Sequence, residues 1–184
     1  KDIPDSSIKN GFLKSQTQIS GQRNCHFDII VSGQTKLFSI LFKPLGISKF
    51  FHIPASELFN QILPLQFILG KRVDEFEDRK FEAKTIAHQV EIVEGLLLSL
   101  LTKNESNNLS RISFSIDQIN STSTVKHTPA LASEACLSRK QFERNFLEII
   151  GISPRQFIRV VRFQRSLFLQ QNDPDLKLTQ LAID

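Results

Sequence analysis

The sequence predicts an α+β protein: an N-terminal domain of antiparallel strands followed by helices, then an all-α domain built around a helix-turn-helix. Three observations carry this. Residues 8–44 read as strands, with a period of two in Cys25–Val31 and Lys36–Pro44. From Gly46 onward the apolar spacing becomes helical. Two Ser-x-x-Gln start signals, at Ser138 and Ser153, then bracket one helix and its closing glycine.

Each element follows from local signals. In Cys25–Val31, Phe27, Ile29 and Val31 alternate with His26, Asp28 and Ile30, and Ser32-Gly33-Gln34 supplies a turn. Lys36–Pro44 then places Phe38, Ile40 and Phe42 on one face, so the two runs predict a hairpin ended by Pro44 and Gly46. Phe12–Ile19 alternates weakly. A short helix is expected at Ile47–His52, with a restart at Pro54–Leu58 and longer helices at Lys71–Phe81 and Thr85–Thr102. In the last, Ile86, Val90, Val93, Leu97, Leu100 and Leu101 make an apolar stripe. It either packs on its own sheet or pairs with a second copy.

The expected boundaries are an N-terminal sensor or dimerisation domain over 1–103, a linker at 104–110 in the polar run Lys103–Ser110, and a helical domain over 111–184. In that second domain Ile112–Asn120 forms a first helix. Thr128-Pro129 starts another that reaches Ala135, with Thr128 as N-cap, and Cys136-Leu137 makes the turn. Ser138 caps the next helix, with Gln141 completing a capping box, and Gly151 suits the left-handed residue that closes it. Ser153-Pro154-Arg155-Gln156 repeats the start signal for a further long helix.

Composition excludes several classes. Apolar residues make up 40% and charged residues 23%, ordinary for a globular chain. The densest apolar run, Leu96–Leu101, is far too short to cross a bilayer, so no membrane partner and a cytoplasmic location are expected. The 16 Phe stand beside no Met, Trp or Tyr; the absent start Met leads us to expect a longer translated protein. Cys25 and Cys136 are far apart, and adjacent Cys25 and His26 in a strand point to opposite faces, so neither a disulfide framework nor a metal site is expected. Cys136 is expected to be a small buried residue. No Ser/His/Asp constellation, Gly-rich phosphate loop or other catalytic pattern appears, so no enzyme and no cofactor are expected.

Charge is distributed unevenly. Residues 126–172 hold eight Lys/Arg against Glu134, Glu143 and Glu148, a net +5, which leaves −1 for the rest of a chain of net charge +4. A basic C-terminal module on a nearly neutral N-terminal one points to nucleic acid. Helical spacing sorts residues 138–150 into a buried face of Phe142, Phe146, Ile149 and Ile150, with Arg139, Lys140, Glu143 and Arg144 outside it. Such a face is either solvated or enters a DNA groove, where Arg or Lys pairs with guanine and Glu accepts from cytosine.

Two stretches resemble a known family. Phe42-Lys43-Pro44-Leu45-Gly46 and Ile53–Gln61 resemble the sensor-side domain that precedes the DNA-binding part in a subset of AraC-type regulators, over residues 35–102, and do not resemble the cupin barrel of other members. Leu131-Ala132 to Leu137-Ser138, Phe142-x-Arg144-x-Phe146, Gly151-Ile152-Ser153-Pro154, Phe157, Arg162 and Leu178–Ala182 resemble the AraC/XylS DNA-binding domain, over residues 108–184. The resemblance implies a transcription regulator that binds double-stranded DNA. Its recognition helix starts at Ser138, Lys140, Glu143 and Arg144 face bases, and Arg139 and Gln141 lie near phosphates. It makes 154–171 a rigid connector, with Arg155, Arg159 and Arg162 along one side, the first two near DNA and Arg162 either there or in an internal ion pair. A small-molecule effector or a homodimer is expected through the N-terminal domain. The chain departs from the family at Ser166, where Ala is usual, and stops inside the second helix-turn-helix. The competing expectation is a ligand-binding or protein-interaction module with a vestigial helix-turn-helix, which Glu143 on the outward face favours.

Overall fold

The computed structural model describes residues 17–26, 33–34, 36–101, 106–121 and 126–173. Among them the protein is mostly helical, with one small antiparallel sheet near the N-terminus. Strand β1 (Gln18–Ser20) pairs with β2 (Ile62–Pro64), with Ile19 opposite Leu63. Between them lie α1 (Gly46–Phe50) and a 3-10 turn (Ala55–Leu58). After β2 come α2 (Gln66–Leu69), α3 (Arg72–Glu82), α4 (Ile86–Leu100), α5 (Asn107–Ser121), α6 (Thr128–Glu134), α7 (Arg139–Ile150) and α8 (Pro154–Asn172). No described helix is long and apolar enough to cross a membrane.

The sheet differs from the expected hairpin. Residues 36–43 form no strand, and Leu37 and Leu41 there are 82% and 94% exposed. Cys25 and His26 also lie outside any strand; the rest of the first arm, residues 27–31, is outside the described residues. Alternation alone marks a segment that could pair, whereas a strand needs a neighbour for its backbone groups. Among the described residues of the alternating region that neighbour exists only for β1, at the end of the weakly alternating stretch. Its placement demands Gly21, because a Cβ there would lie 2.1 Å from the Leu58 carbonyl oxygen.

Three groups of buried side chains hold the chain together. Ile19, Phe51, Leu58, Leu65 and Val73 gather around the sheet. Phe76 and Ala83 meet Ile92 and Val93 between α3 and α4. The α4 helix starts where expected, with the Thr85 side chain accepting from the His88 amide at 3.2 Å. The middle of the predicted stripe is covered, with Val93 buried and Val90, Leu97 and Leu100 half-buried, while its ends Ile86 and Leu101 are exposed and Ile92 joins the buried face. The partner α3, presenting Phe76, decides which side of α4 is covered.

The third and largest group unites α5 to α8. Ile112, Leu131, Phe142 and Phe146 are fully buried there, with Ile116, Ile150 and Phe157 around them. Burying each of these side chains contributes roughly 1.5–3 kcal/mol. The rings of Phe142 and Phe146 lie 5.7 Å apart, and Phe146 meets Phe157 edge-on at 5.6 Å. Helix α5 begins five residues before the expected Ile112, because the Ser106 hydroxyl accepts from the Leu109 amide at 3.2 Å and Leu109 is buried.

This group also receives residues from the N-terminal half. Leu45 and Phe59 pack against it, and the Ser48 hydroxyl donates to the Ile149 carbonyl at 2.8 Å. Gly151 completes the seat: a Cβ there would stand 2.9 Å from the Ala55 carbonyl oxygen. The last turn of α7 therefore rests on α1 and the 3-10 turn.

Candidate nucleic-acid interface

The basic side chains singled out by the sequence are carried by α7 and α8, and the backbone before α7 explains how that helix is presented. Helix α6 ends at Ala135, and Cys136 takes a left-handed φ of 54°. The Leu137 amide then donates to Ala132 O at 2.9 Å and the Cys136 amide to Ser133 O at 3.0 Å. This pair of bonds closes a helix and reverses the chain within two residues. Cys136 is exposed, not buried as expected, because a residue in the left-handed position at the turn tip projects outward. At the other end of α6 the N-cap is His127, not Thr128, and no side chain caps the helix. Pro129 is compatible with the first turn, where the missing N–H has no intrahelical partner to lose.

Ser138 starts α7 with the expected capping box. Its hydroxyl accepts from the Gln141 amide at 3.3 Å, and Gln141 Oε1 accepts from the Ser138 amide at 3.3 Å. These bonds fix the first turn without burying it. Phe142, Phe146 and Ile150 point into the core, joined by Asn145, a buried polar residue that the apolar pattern did not mark. Arg139, Lys140 and Arg144 are exposed on the other side, with Glu143 half-buried beside them. Gly151 closes the helix in the left-handed region, φ 91°, as expected.

Electrostatics divide the basic residues into three groups. Lys126 pairs with Glu134 at 2.8 Å, and Arg165 donates to Asn120 O at 3.0 Å at the end of α5, so both serve the fold. Arg139 and Glu143, four residues apart, form an ion pair at 2.9 Å. Lys140, Arg144, Arg155, Arg159 and Arg162 have no ion pair among the described residues.

Helix α8 opens with a second capping box, Ser153 with Gln156, and packs on α7 through Phe157 against Phe146. That brings Arg155 to Arg144: both line a recess of about 400 Å³ with Thr128, Leu147 and Pro154. Arg159 and Arg162 continue along the exposed side of α8, outside this recess. The structure thus collects Ser138, Arg139, Lys140, Gln141, Glu143 and Arg144 on the first turns of α7 and joins Arg155 to them. Arg159 lies one turn further on. Among the described residues no group of three or more His, Cys, Asp or Glu could hold a metal ion.

Residues 4–64 match the family model of a domain of unknown function (DUF6597). The match covers both strands, α1 and the 3-10 turn, the part on which the end of α7 rests. No curated protein and no solved structure matches the chain.

Proposed function

We propose that the protein is a sequence-specific DNA-binding transcription regulator of the AraC/XylS type, with residues 138–150 as the recognition helix. The observation that carries this reading is the asymmetry of α7. One side is locked into the core by Phe142 and Phe146, while Arg139, Lys140 and Arg144 stand exposed on its first two turns. The first turns of a recognition helix are the part that meets base edges in the major groove. The seat formed by α1 and the 3-10 turn meets α7 at Ile149 and Gly151, at the opposite end, while Arg139, Lys140 and Arg144 on the first turns are exposed.

Roles within this reading follow from chemistry. Lys140 and Arg144 suit guanine, Glu143 suits the amino group of cytosine, and Arg139, Gln141, Arg155 and Arg159 serve phosphates. The carboxylate of Glu143 would repel DNA if left alone, and its pairing with Arg139 offsets that. The N-terminal domain then senses a small-molecule effector or joins two copies, and a dimer would read half-sites spaced by helical turns. The other reading, a protein-interaction module with a vestigial helix-turn-helix, draws on Glu143 and on the tight packing of the N-terminal half against α7.

A fluorescence-anisotropy titration separates them. The protein, at two salt concentrations, is titrated with DNA from upstream of its own gene and with a scrambled control. The regulator reading expects selective binding that weakens steeply with salt. Equal affinity for both DNAs, or none for either, with and without cell extract as an effector source, would leave the interaction module.

A further inference from the structure

The run Lys36-Leu37-Phe38-Ser39-Ile40-Leu41-Phe42-Lys43 passes through no helix, turn or bend and joins no strand. Among the described residues, no backbone amide or carbonyl from Leu37 to Phe42 is hydrogen-bonded. The side chains still divide as those of a strand do. Phe38 and Ile40 are 38% and 44% exposed, and Phe42 packs against the buried group around the sheet, its ring 5.7 Å from Phe50 and 6.0 Å from Phe51. Leu37 and Leu41, at the odd positions, are 82% and 94% exposed. The segment thus leans on the molecule by its even positions, is anchored at Phe42, and offers a backbone edge beside two bare leucines.

An unpaired backbone edge flanked by apolar side chains is what accepts an added strand. The charge around it selects which strand. Lys36 and Lys43 bound the apolar run, both exposed and neither in an ion pair among the described residues. No Asp or Glu occurs from residue 29 to residue 56. A second copy of the run would bring lysines together. Paired antiparallel over all its apolar residues, it sets Lys36 opposite Lys43; paired parallel, it sets each lysine beside its own copy. A slide of one position still leaves a lysine of each copy at both ends. Like charges placed opposite one another are destabilising, and lysine on an edge guards against such self-pairing.

We infer that the edge at 37–42 takes up an extended segment of another protein by strand addition, one with apolar side chains at alternate positions and a carboxylate beyond each end to meet Lys36 and Lys43. Main-chain bonds supply the hold, and Leu37 and Leu41 gain cover from the incoming side chains. The two carboxylates fix the register. None of the residues assigned to DNA takes part, so strand addition and DNA binding hold or fail independently.

The probe is an end-blocked peptide, Glu-Val-Thr-Val-Thr-Val-Thr-Glu, with one residue for each position of 36–43. It is titrated into the full chain while the amide NMR signals of Leu37 to Phe42, and their exchange with solvent, are followed. Saturable shifts and slowed exchange at alternate amides of the run are expected. A peptide with Lys in place of both Glu should bind about tenfold more weakly. In the double variant Lys36→Glu, Lys43→Glu, altered only at exposed side chains, that preference should reverse. No saturable shift, unchanged exchange in the run, or equal binding of the two peptides by the unaltered chain overturns the assignment. Exchange that slows with protein concentration alone gives the edge to a second copy. Slowing by vesicles of phosphatidylglycerol and phosphatidylcholine, but not by peptide, gives it to a membrane. Either result overturns the strand partner.

Discussion

The two ends of α7 are fixed by different means. The first turn is set by its own neighbours in the chain, through the Ser138–Gln141 capping box, and its outward side chains touch little but each other. The last turn is set from far away, by Ser48 on the Ile149 carbonyl and by Ala55 against Gly151. A helix built this way has a locally determined working end and a globally determined anchored end. Changes at the first should alter binding more than stability; changes at the second should do the opposite.

The largest expected effect lies between the two ends. Phe146→Ala removes a fully buried ring that meets both Phe142 and Phe157, and should cost about 3–5 kcal/mol in urea unfolding. A cost below ~1.5 kcal/mol would mean that α7 is not anchored by this core at all.

Next comes the glycine of the anchored end. Gly151→Ala forces alanine into a left-handed backbone at φ 91°, a strain of about 1–2 kcal/mol, and its new Cβ also meets the Ala55 carbonyl. The variant should therefore lose more than about 2 kcal/mol in urea unfolding. A loss no larger than the backbone strain alone would remove the N-terminal seat from the account.

Smaller losses separate the two mechanisms directly. Ser138→Ala deletes the cap and should cost about 1 kcal/mol. Ser48→Ala deletes one hydrogen bond to a helix-end carbonyl, about 0.5–1.5 kcal/mol, and should speed hydrogen exchange in the last turn of α7 while leaving the first turn unchanged. Exchange that rises equally in both turns would break the distinction between the ends.

The smallest effect is at the surface. Arg139→Ala removes an exposed ion pair and should change stability by less than about 0.5 kcal/mol. Because it frees the Glu143 carboxylate, its effect on DNA affinity should exceed its effect on stability, and anisotropy at low salt measures that difference.

What could be read from the sequence follows the same division. The boxes at Ser138 and Ser153 and the Gly151 closure were legible because each is made by residues three or four apart, which meet whatever the rest of the chain does. On α4 the buried Val93 was legible, whereas the cover on Ile92 and the exposure of Ile86 were not, since α3 with Phe76 decides where the covered face ends. The expected strand at 36–44 has the right alternation and no strand partner among the described residues. Cys136 reads as a buried thiol until its left-handed backbone turns it outward. Arg144 and Arg155 are separated by a loop, so only the angle between α7 and α8 reveals that they share a recess. Nothing local to α7 announces that residues 45–59 support its end.

That distant support has a consequence for how the protein is made. Ser48 and Ile149 are separated by 101 positions in the chain. At a synthesis rate of roughly 5–20 residues per second, residues 45–59 wait about 5–20 s before α7 exists to cover them. During that interval Leu45 and Phe59 have no partner from the helical group they finally join. Contacts between residues so far apart in the chain also form late, because a long loop must close before they return any energy. Translation speed across residues 65–150 therefore sets how long the newborn chain is exposed to wrong partners.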